Sequence, residues 1–283
     1  MKIGYGVMAI FALSKLGCAE GERPLVLGKG KERFVVGDVL QKDDFENLER
    51  WVVQVEEKAG FPEAKVAAKD GVLDCLVPGR GCTIWFREKL KTRLTITYDV
   101  VCPEAKEGMK GVMVKDVNNF WLASDSENED EGLFDSERYT GTFTSYNKMN
   151  GYYASSGGAR NTTVRMRRYP REKNSQGTKH IALQDRDRQK DFLLTPGKRM
   201  KVQLVAFDDL VQYIVDGVLV YEMSFGEEIT VEGASRERRQ LSIEEYGARN
   251  YPFYQEGFFG FRMVGTHHLY SNFRVNELNA LGE

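Results

Sequence analysis

Between Gly157 and Tyr169 the chain reads Gly-Gly-Ala-Arg-Asn-Thr-Thr-Val-Arg-Met-Arg-Arg-Tyr. From Asn161 onward its Thr, Val and Tyr content predicts a β-strand, in which side chains alternate between two faces. Asn161, Thr163, Arg165, Arg167 and Tyr169 then share one face, and Thr162, Val164, Met166 and Arg168 share the other. The first face carries an amide, a hydroxyl, two guanidiniums and a phenol in line. Arginine presents a rigid fork of donors matched to carboxylates, and two crowded together call for an anion. The spacing predicts a grip on a polar, anionic ligand. The competing reading is an exposed strand whose arginines pair with acidic neighbours.

Three uses of such a face can be weighed against the other polar residues. A retaining glycoside hydrolase needs two carboxyls roughly 5–5.5 Å apart. No strand carries a Glu-x-Asp-x-x-Glu pattern, and Glu244 and Glu245, being adjacent, would point opposite ways. Asp116 and Asp125, at either end of the stretch around Asn119 to Trp121, remain hydrolase candidates. β-Elimination on a uronic-acid polymer needs a cation or amide on the sugar carboxylate, a base for the C5 proton and an acid for the leaving oxygen. Arg165 and Arg167 fit the first role. Tyr153 and His267 are the acid/base candidates, drawn from Tyr152, Tyr153 and Tyr169 and from the three histidines His180, His267 and His268. Alternation splits His267 from His268, one inward and one outward. A non-catalytic glycan-binding module needs only aromatic area and polar specificity. Under any of the three, Asn119, Trp121, Asn161, Thr163, Tyr169 and Arg262 are expected sugar contacts.

The elements that position these residues read as strands. Short alternating runs recur with no internal repeat and no long amphipathic helix. Leu94, Ile96, Tyr98 and Val100 share one face of a run from Thr92 to Val100, and Asp216-Gly217 marks a tight hairpin between Val211–Val215 and Val218–Tyr221. Regular short strands without βαβ alternation predict an all-β fold, an antiparallel sandwich or jelly roll. The charged stretch from Glu227 to Gly247 reads as a long loop or short helix.

The 283 residues suffice for one large β domain or two small ones. A net charge of −2 gives no basic field for nucleic acid, which is not expected as a partner. Lys2, the apolar run Ile3 to Leu13 and the small residues Gly17-Cys18-Ala19 predict an export signal over residues 1–19, ahead of a single domain over 20–283. Gly17-Cys18 also fits a lipoprotein signal, with Cys18 lipidated, although Lys15 stands where that motif takes an aliphatic residue. The alternative is a buried first strand or helix. The expected location is secreted, periplasmic or outer-membrane lipoprotein, with membrane contact only through a lipid on Cys18. Cys75, Cys82 and Cys102 remain, an odd number that argues against a disulfide framework. Cys75 and Cys82 flank Val77 to Gly81, read as a turn, and could pair across a hairpin or stay as buried thiols. No cofactor is expected and no zinc spacing occurs. The acidic run from Asp125 to Asp135 could hold structural calcium, but it lacks the EF-hand glycine and equally suits a solvated loop.

Several segments carry a resemblance. They are Asp43-Asp44-Phe45 ahead of Trp51, Asp70-Gly71-Val72-Leu73, Thr83-Ile84-Trp85-Phe86, Asp116 to Trp121 with Asp125, and Gly151-Tyr152-Tyr153. Asn161 to Tyr169, Asp216-Gly217, Gly257 to Arg262 with His267, and Asn272-Phe273-Arg274-Val275 complete the set. Together they resemble a family of secreted bacterial concanavalin-A-like jelly-roll domains of unknown function, found among polysaccharide-utilisation genes. The resemblance spans about Phe34 to Leu278. Asn119 departs from it, standing where a Cys is common, as does the long Glu227–Gly247 insert. It implies the fold and a glycan setting, with no catalytic mechanism attached. Added to the arginine face, it leads to the expectation of a polysaccharide lyase acting on an acidic polysaccharide. A binding module and a hydrolase using Asp116 or Asp125 are the alternatives.

Overall fold

The computed structural model describes residues 25–28, 31–105, 107–171, 181–183, 189–224, 229–232, 238–241 and 253–282. The export signal, Cys18, His180, Glu244 and Glu245 lie outside the described residues. The strands run in chain order as β1 (Leu25–Gly28), β2 (Lys31–Asp43), β3 (Trp51–Val55), β4 (Lys65–Lys69), β5 (Val72–Phe86), β6 (Leu90–Lys91) and β7 (Leu94–Val101). They continue as β8 (Val117–Ser124), β9 (Asn150–Gly157), β10 (Thr163–Tyr169), β11 (Ile181–Leu183), β12 (Arg199–Phe207), β13 (Leu210–Val215) and β14 (Val218–Ser224). The set closes with β15 (Ile229–Glu232), β16 (Arg238–Leu241) and β17 (Glu256–Ala280). β15 and β16 pair with each other inside the charged insert read from sequence as a loop or helix.

Two long strands, β5 and β17, hold both layers of the sandwich. The first half of β17 lies between β8 and the end of β5, with Gly260 opposite Phe120 on one side and Trp85 on the other. A register shift between Val264 and Thr266, with Gly265 at φ 55°, bends the strand. Its second half then pairs with β7 and β2. The first layer is therefore ordered β11-β10-β9-β8-β17-β5-β3, and the second continues from β17 through β7-β12-β13-β14. Alternation explains the core between them. Val164 and Met166 of β10, Tyr152 and Ala154 of β9, and Phe259, Phe261 and Met263 of β17 meet Leu94, Ile96, Tyr98, Val202 and Leu204 from the opposite layer. Burying such side chains, at about 1.5–3 kcal/mol each, drives closure.

The predicted antiparallel jelly-roll sandwich is observed, and Asp216 and Gly217 make the hairpin at φ 48° and 79°. The stretch Val77 to Gly81 differs from its reading as a turn. It stays in strand, bent where β5 crosses between layers, because β17 pairs with it on both sides of the bend. Cys75 and Cys82 thus lie along one strand, and with Cys102 they are free and buried. Burial pushes the Cys82 thiol up to about 12.

Candidate functional site

The outward face of the first layer is built in rows set by strand register. Arg165 pairs with Ser155, Ser155 with Asn118, Asn118 with Arg262, Arg262 with Thr83, and Thr83 with Gln54. One polar row thus crosses six strands. The next row holds Arg167, Tyr153, Phe120, Gly260 and Trp85. Gly260 is glycine for a packing reason, since a Cβ there would stand 2.5 Å from the Trp85 ring, which stacks on Phe120 at 5.6 Å.

The segment after β8 folds back over the middle of this face. Its 3-10 turns, Gly132–Phe134 and Phe143–Lys148, place Leu133, Tyr139, Tyr146 and Met149 in one buried cluster with Trp85, Phe120, Tyr153 and Tyr169. Gln54 ties it down. Its amide donates to the Leu133 carbonyl at 2.7 Å, and its oxygen accepts from the Trp85 indole at 3.0 Å and the Tyr146 hydroxyl at 2.9 Å. Arg262, fully buried, donates to the Gly141 carbonyl at 2.7 Å. Gly141, at φ 79°, lies so close to β3 that a Cβ would stand 2.4 Å from the Glu56 nitrogen.

At the edge of this cover, guanidiniums converge on two aromatic rings. Arg262 lies 5.6 Å and Arg171 5.8 Å from the Phe143 ring, and Arg167 lies 5.7 Å from that of Tyr153. Phe143 and Tyr153 meet edge to face at 6.3 Å. Among the described residues, Nε of Arg167, Nε and Nη2 of Arg262, Oδ1 of Asn118 and Oγ1 of Thr163 are buried without a hydrogen-bond partner. Arg165 and Thr163 are partly exposed, so the row opens at that end.

Asp116 sits at the open end, just before β8. Its carboxyl is 16% exposed and lies 3.5 Å from Lys115. Burial raises its pKa above the ordinary carboxylate value, against the lowering pull of Lys115, Arg262 and a bond from Asn118. Burial also pushes the Tyr153 hydroxyl well above its usual range, opposed by Arg167.

Other expected site residues fall elsewhere. Asn119 and Trp121 point into the sandwich, where both are fully buried and the Asn119 amide donates to the Tyr98 hydroxyl at 3.0 Å. They share a face as alternation required, but it is the core face, so neither touches a ligand. Asn161 is not on the strand. β10 begins at Thr163, and Asn161 closes a left-handed turn, its side chain bonding the Leu194 carbonyl at 2.8 Å and nitrogen at 2.9 Å. Tyr169 does follow Arg167 on the outward side, yet it is covered by Phe120 and Tyr153. His267 lies beyond the bend of β17, its Nε2 at hydrogen-bond distance, 2.8 Å, from the Asp74 carboxylate. From Gly260, in the Tyr153 row, it is seven residues on (260 to 267), roughly 20 Å along the strand. The structure therefore does not bring Tyr153 and His267 together.

Nor does it bring Asp116 and Asp125 together. All eight residues of β8 separate them, roughly 25 Å of strand, far beyond the span across which two carboxyls flank one glycosidic bond. Asp125 instead organises its loop. It accepts from the nitrogens of Glu127 and Asn128 and from the Tyr139 hydroxyl, and it pairs with Arg138 at 3.0 Å. Burial pushes its pKa up, but these contacts outweigh it and hold the carboxyl below the ordinary range. Among the described residues, no three acidic, His or Cys side chains gather as a metal site, in the Asp125–Asp135 run or elsewhere.

The turn at the open end is strained. Ala159, Arg160 and Asn161 all have φ between 51° and 63°. Each left-handed non-glycine residue costs roughly 1–2 kcal/mol. The two Asn161–Leu194 bonds offset that cost, so Asn161→Ala should lower stability by about 1–3 kcal/mol. Chemical denaturation of wild type and variant measures this, and an unchanged midpoint would show that the turn holds without the bonds.

Residues 76–233 match the sequence profile of a family described as a domain of unknown function, DUF6250. No curated protein sequence matches the chain. Among solved structures it is similar to a Bacillus subtilis protein of unknown function with a galectin-like fold, at 16% identity and a TM-score of 0.59, covering 87% of this chain and 98% of that one. It is also similar to the endo-β-1,3-glucanase of Pyrococcus furiosus, at 10% identity and a TM-score of 0.53, covering 92% and 99% of the respective chains. These likenesses are of fold.

Proposed function

The chain belongs to the DUF6250 family, a domain of unknown function, and from its arginine face we propose that it recognises an acidic polysaccharide outside the cell. The observation that carries this reading is the placing of Arg165 and Arg171, both partly exposed, at the edge of the face that holds Arg167 over the Tyr153 ring. Arginine presents a planar fork of donors matched to carboxylates. Uronate residues supply such carboxylates at intervals along a chain. Asp116, 16% exposed at the open end of the face, offers an acceptor to sugar hydroxyls. A glycan-cleaving enzyme among the similar folds is in keeping with a carbohydrate partner. Lys2 and the Ile3–Leu13 run support export, and Cys18 offers a lipid anchor.

The hydrolase reading with Asp116 and Asp125 lacks a carboxyl pair within reach. The lyase reading needs a partner for Tyr153 other than His267, which lies beyond the bend of β17.

The grip is tested by calorimetric titration with polygalacturonate and alginate, against neutral dextran. Arg165→Ala and Arg167→Ala should each weaken polyuronate binding roughly 10–100-fold, the worth of one charge-assisted hydrogen bond at about 1.5–3 kcal/mol. Equal affinity for dextran, or unchanged binding by both variants, would refute it.

A further inference from the structure

We propose that the cavity beside the first turn of the covering segment binds a short stretch of neutral glycan, as a second carbohydrate site apart from the arginine face. It lies where β8 runs out into that segment, next to the end of β5. Its volume is about 660 Å³, inside the span of small-ligand pockets at roughly 300–1,000 Å³. Asp116 stands at the other end of β8, so the two sites occupy opposite ends of one strand.

The lining is mixed. Arg87 and Arg138 bring guanidiniums, Glu131 and Asp135 carboxylates, Asn128 an amide and Phe134 a ring. The fold holds these groups in place without a ligand. Phe134, partly buried, meets Phe258 edge to face at 4.8 Å, and Gln54 ties down the neighbouring Leu133 carbonyl. Asp125 is fully buried behind Gly132, where a Cβ would stand 2.6 Å from it. From there it pairs with Arg138 at 3.0 Å, and Glu127 does so at 3.1 Å. Both pairs use Nη1, so the rest of that fork is available to a ligand. Arg87 is steadied through Nε by the Glu49 carbonyl at 3.1 Å. Asp135 uses Oδ1 to accept from the nitrogens of Glu137 and Arg138, and its other oxygen is left for the cavity. Asn128 and Glu131 are exposed.

This lining selects against charge. Asp125 and Glu127 already balance Arg138, so the carboxylates of Glu131 and Asp135 outweigh Arg87 and would repel a polyuronate. A cation would face two guanidiniums. A sugar hydroxyl both donates and accepts, so it can join a carboxylate to a guanidinium across one lining. The C–H face of a pyranose suits the Phe134 ring. An uncharged ring rich in hydroxyls, with one apolar face, meets every group present.

The experiment titrates the protein with maltose, cellobiose, lactose and mannobiose, followed by saturation-transfer NMR and calorimetry. At least one should bind with the millimolar affinity of a small sugar, and added salt should leave that affinity unchanged. Binding should persist in excess polygalacturonate. Phe134→Leu keeps apolar contact with Phe258 and loses the flat ring, and it should weaken binding about 2–10-fold. Asp135→Asn keeps the Oδ1 acceptor of its turn and loses the carboxylate, and it should weaken binding about 10–100-fold. Urea midpoints check that both variants fold. If none of the four disaccharides binds, or if both folded variants bind as wild type does, the cavity is not a carbohydrate site. Displacement of the disaccharide by polygalacturonate would overturn the separation of the two sites.

Discussion

Replacing Trp85 with alanine should cost about 3–5 kcal/mol of stability and loosen the cover over the arginine face. The indole is fully buried against Gly260, which offers no side chain to fill the space left behind. It stacks on Phe120 and lies 6.1 Å from Tyr146. Its N–H is one of two donors to the Gln54 oxygen, and Gln54 also holds the Leu133 carbonyl. The substitution therefore opens a cavity and weakens the anchor of the covering segment at once. Urea denaturation gives the first effect. Limited proteolysis gives the second, with new cleavage expected between Ser126 and Lys148. A variant within about 1 kcal/mol of wild type, still protected from protease, would mean that the cover is held from elsewhere.

Acidification from pH 7 to pH 4 should remove about 3 kcal/mol through His268 alone. The Lys115 carbonyl, 2.9 Å from Nε2, can only accept, so Nε2 carries the proton and Nδ1 accepts from the Tyr270 hydroxyl at 2.8 Å. Burial lowers the pKa of this ring from 6.5 to about 4, with His267 adding to it and the Lys115 bond opposing. The folded-state value is depressed, so the unfolded chain takes up the proton first. The contribution is complete above pH 6.5 and is lost as pH falls through 4. Urea midpoints across that range should fall more steeply for wild type than for His268→Gln, in which the titrating ring is gone. Parallel pH curves would dismiss this account.

Much of the fold was legible because strand signals are local. The period of two placed Val164 and Met166 opposite Arg165 and Arg167, and Asp216-Gly217 marked its hairpin through the backbone angles those residues tolerate. What alternation cannot say is which face is the core. Asn119 and Trp121 looked exposed beside Asp116, but both sides of β8 are buried, one by the opposite layer and one by the segment after β8. The bend in β5 hides from sequence because Pro78-Gly79-Arg80-Gly81 has the composition of a turn, while pairing with β17 keeps it in strand. The arginine face was half legible. Arg165 and Arg167 stand two apart in sequence, whereas Asn118, Phe143, Ser155 and Arg171 join them through register and loop return, which no local pattern records.

The double service of β17 also bears on how the chain reaches this state. Arg274 meets Asp44 across 230 residues, and both layers borrow hydrogen bonds from the same strand. Closing so long a loop carries a large entropy penalty before any pairing offsets it, which makes for slow folding. Until β17 arrives, β8, β7, β5 and β2 each keep an open edge that could pair with another molecule. Conditions that shield strand edges during refolding should therefore raise yield more than conditions that stabilise the finished sandwich.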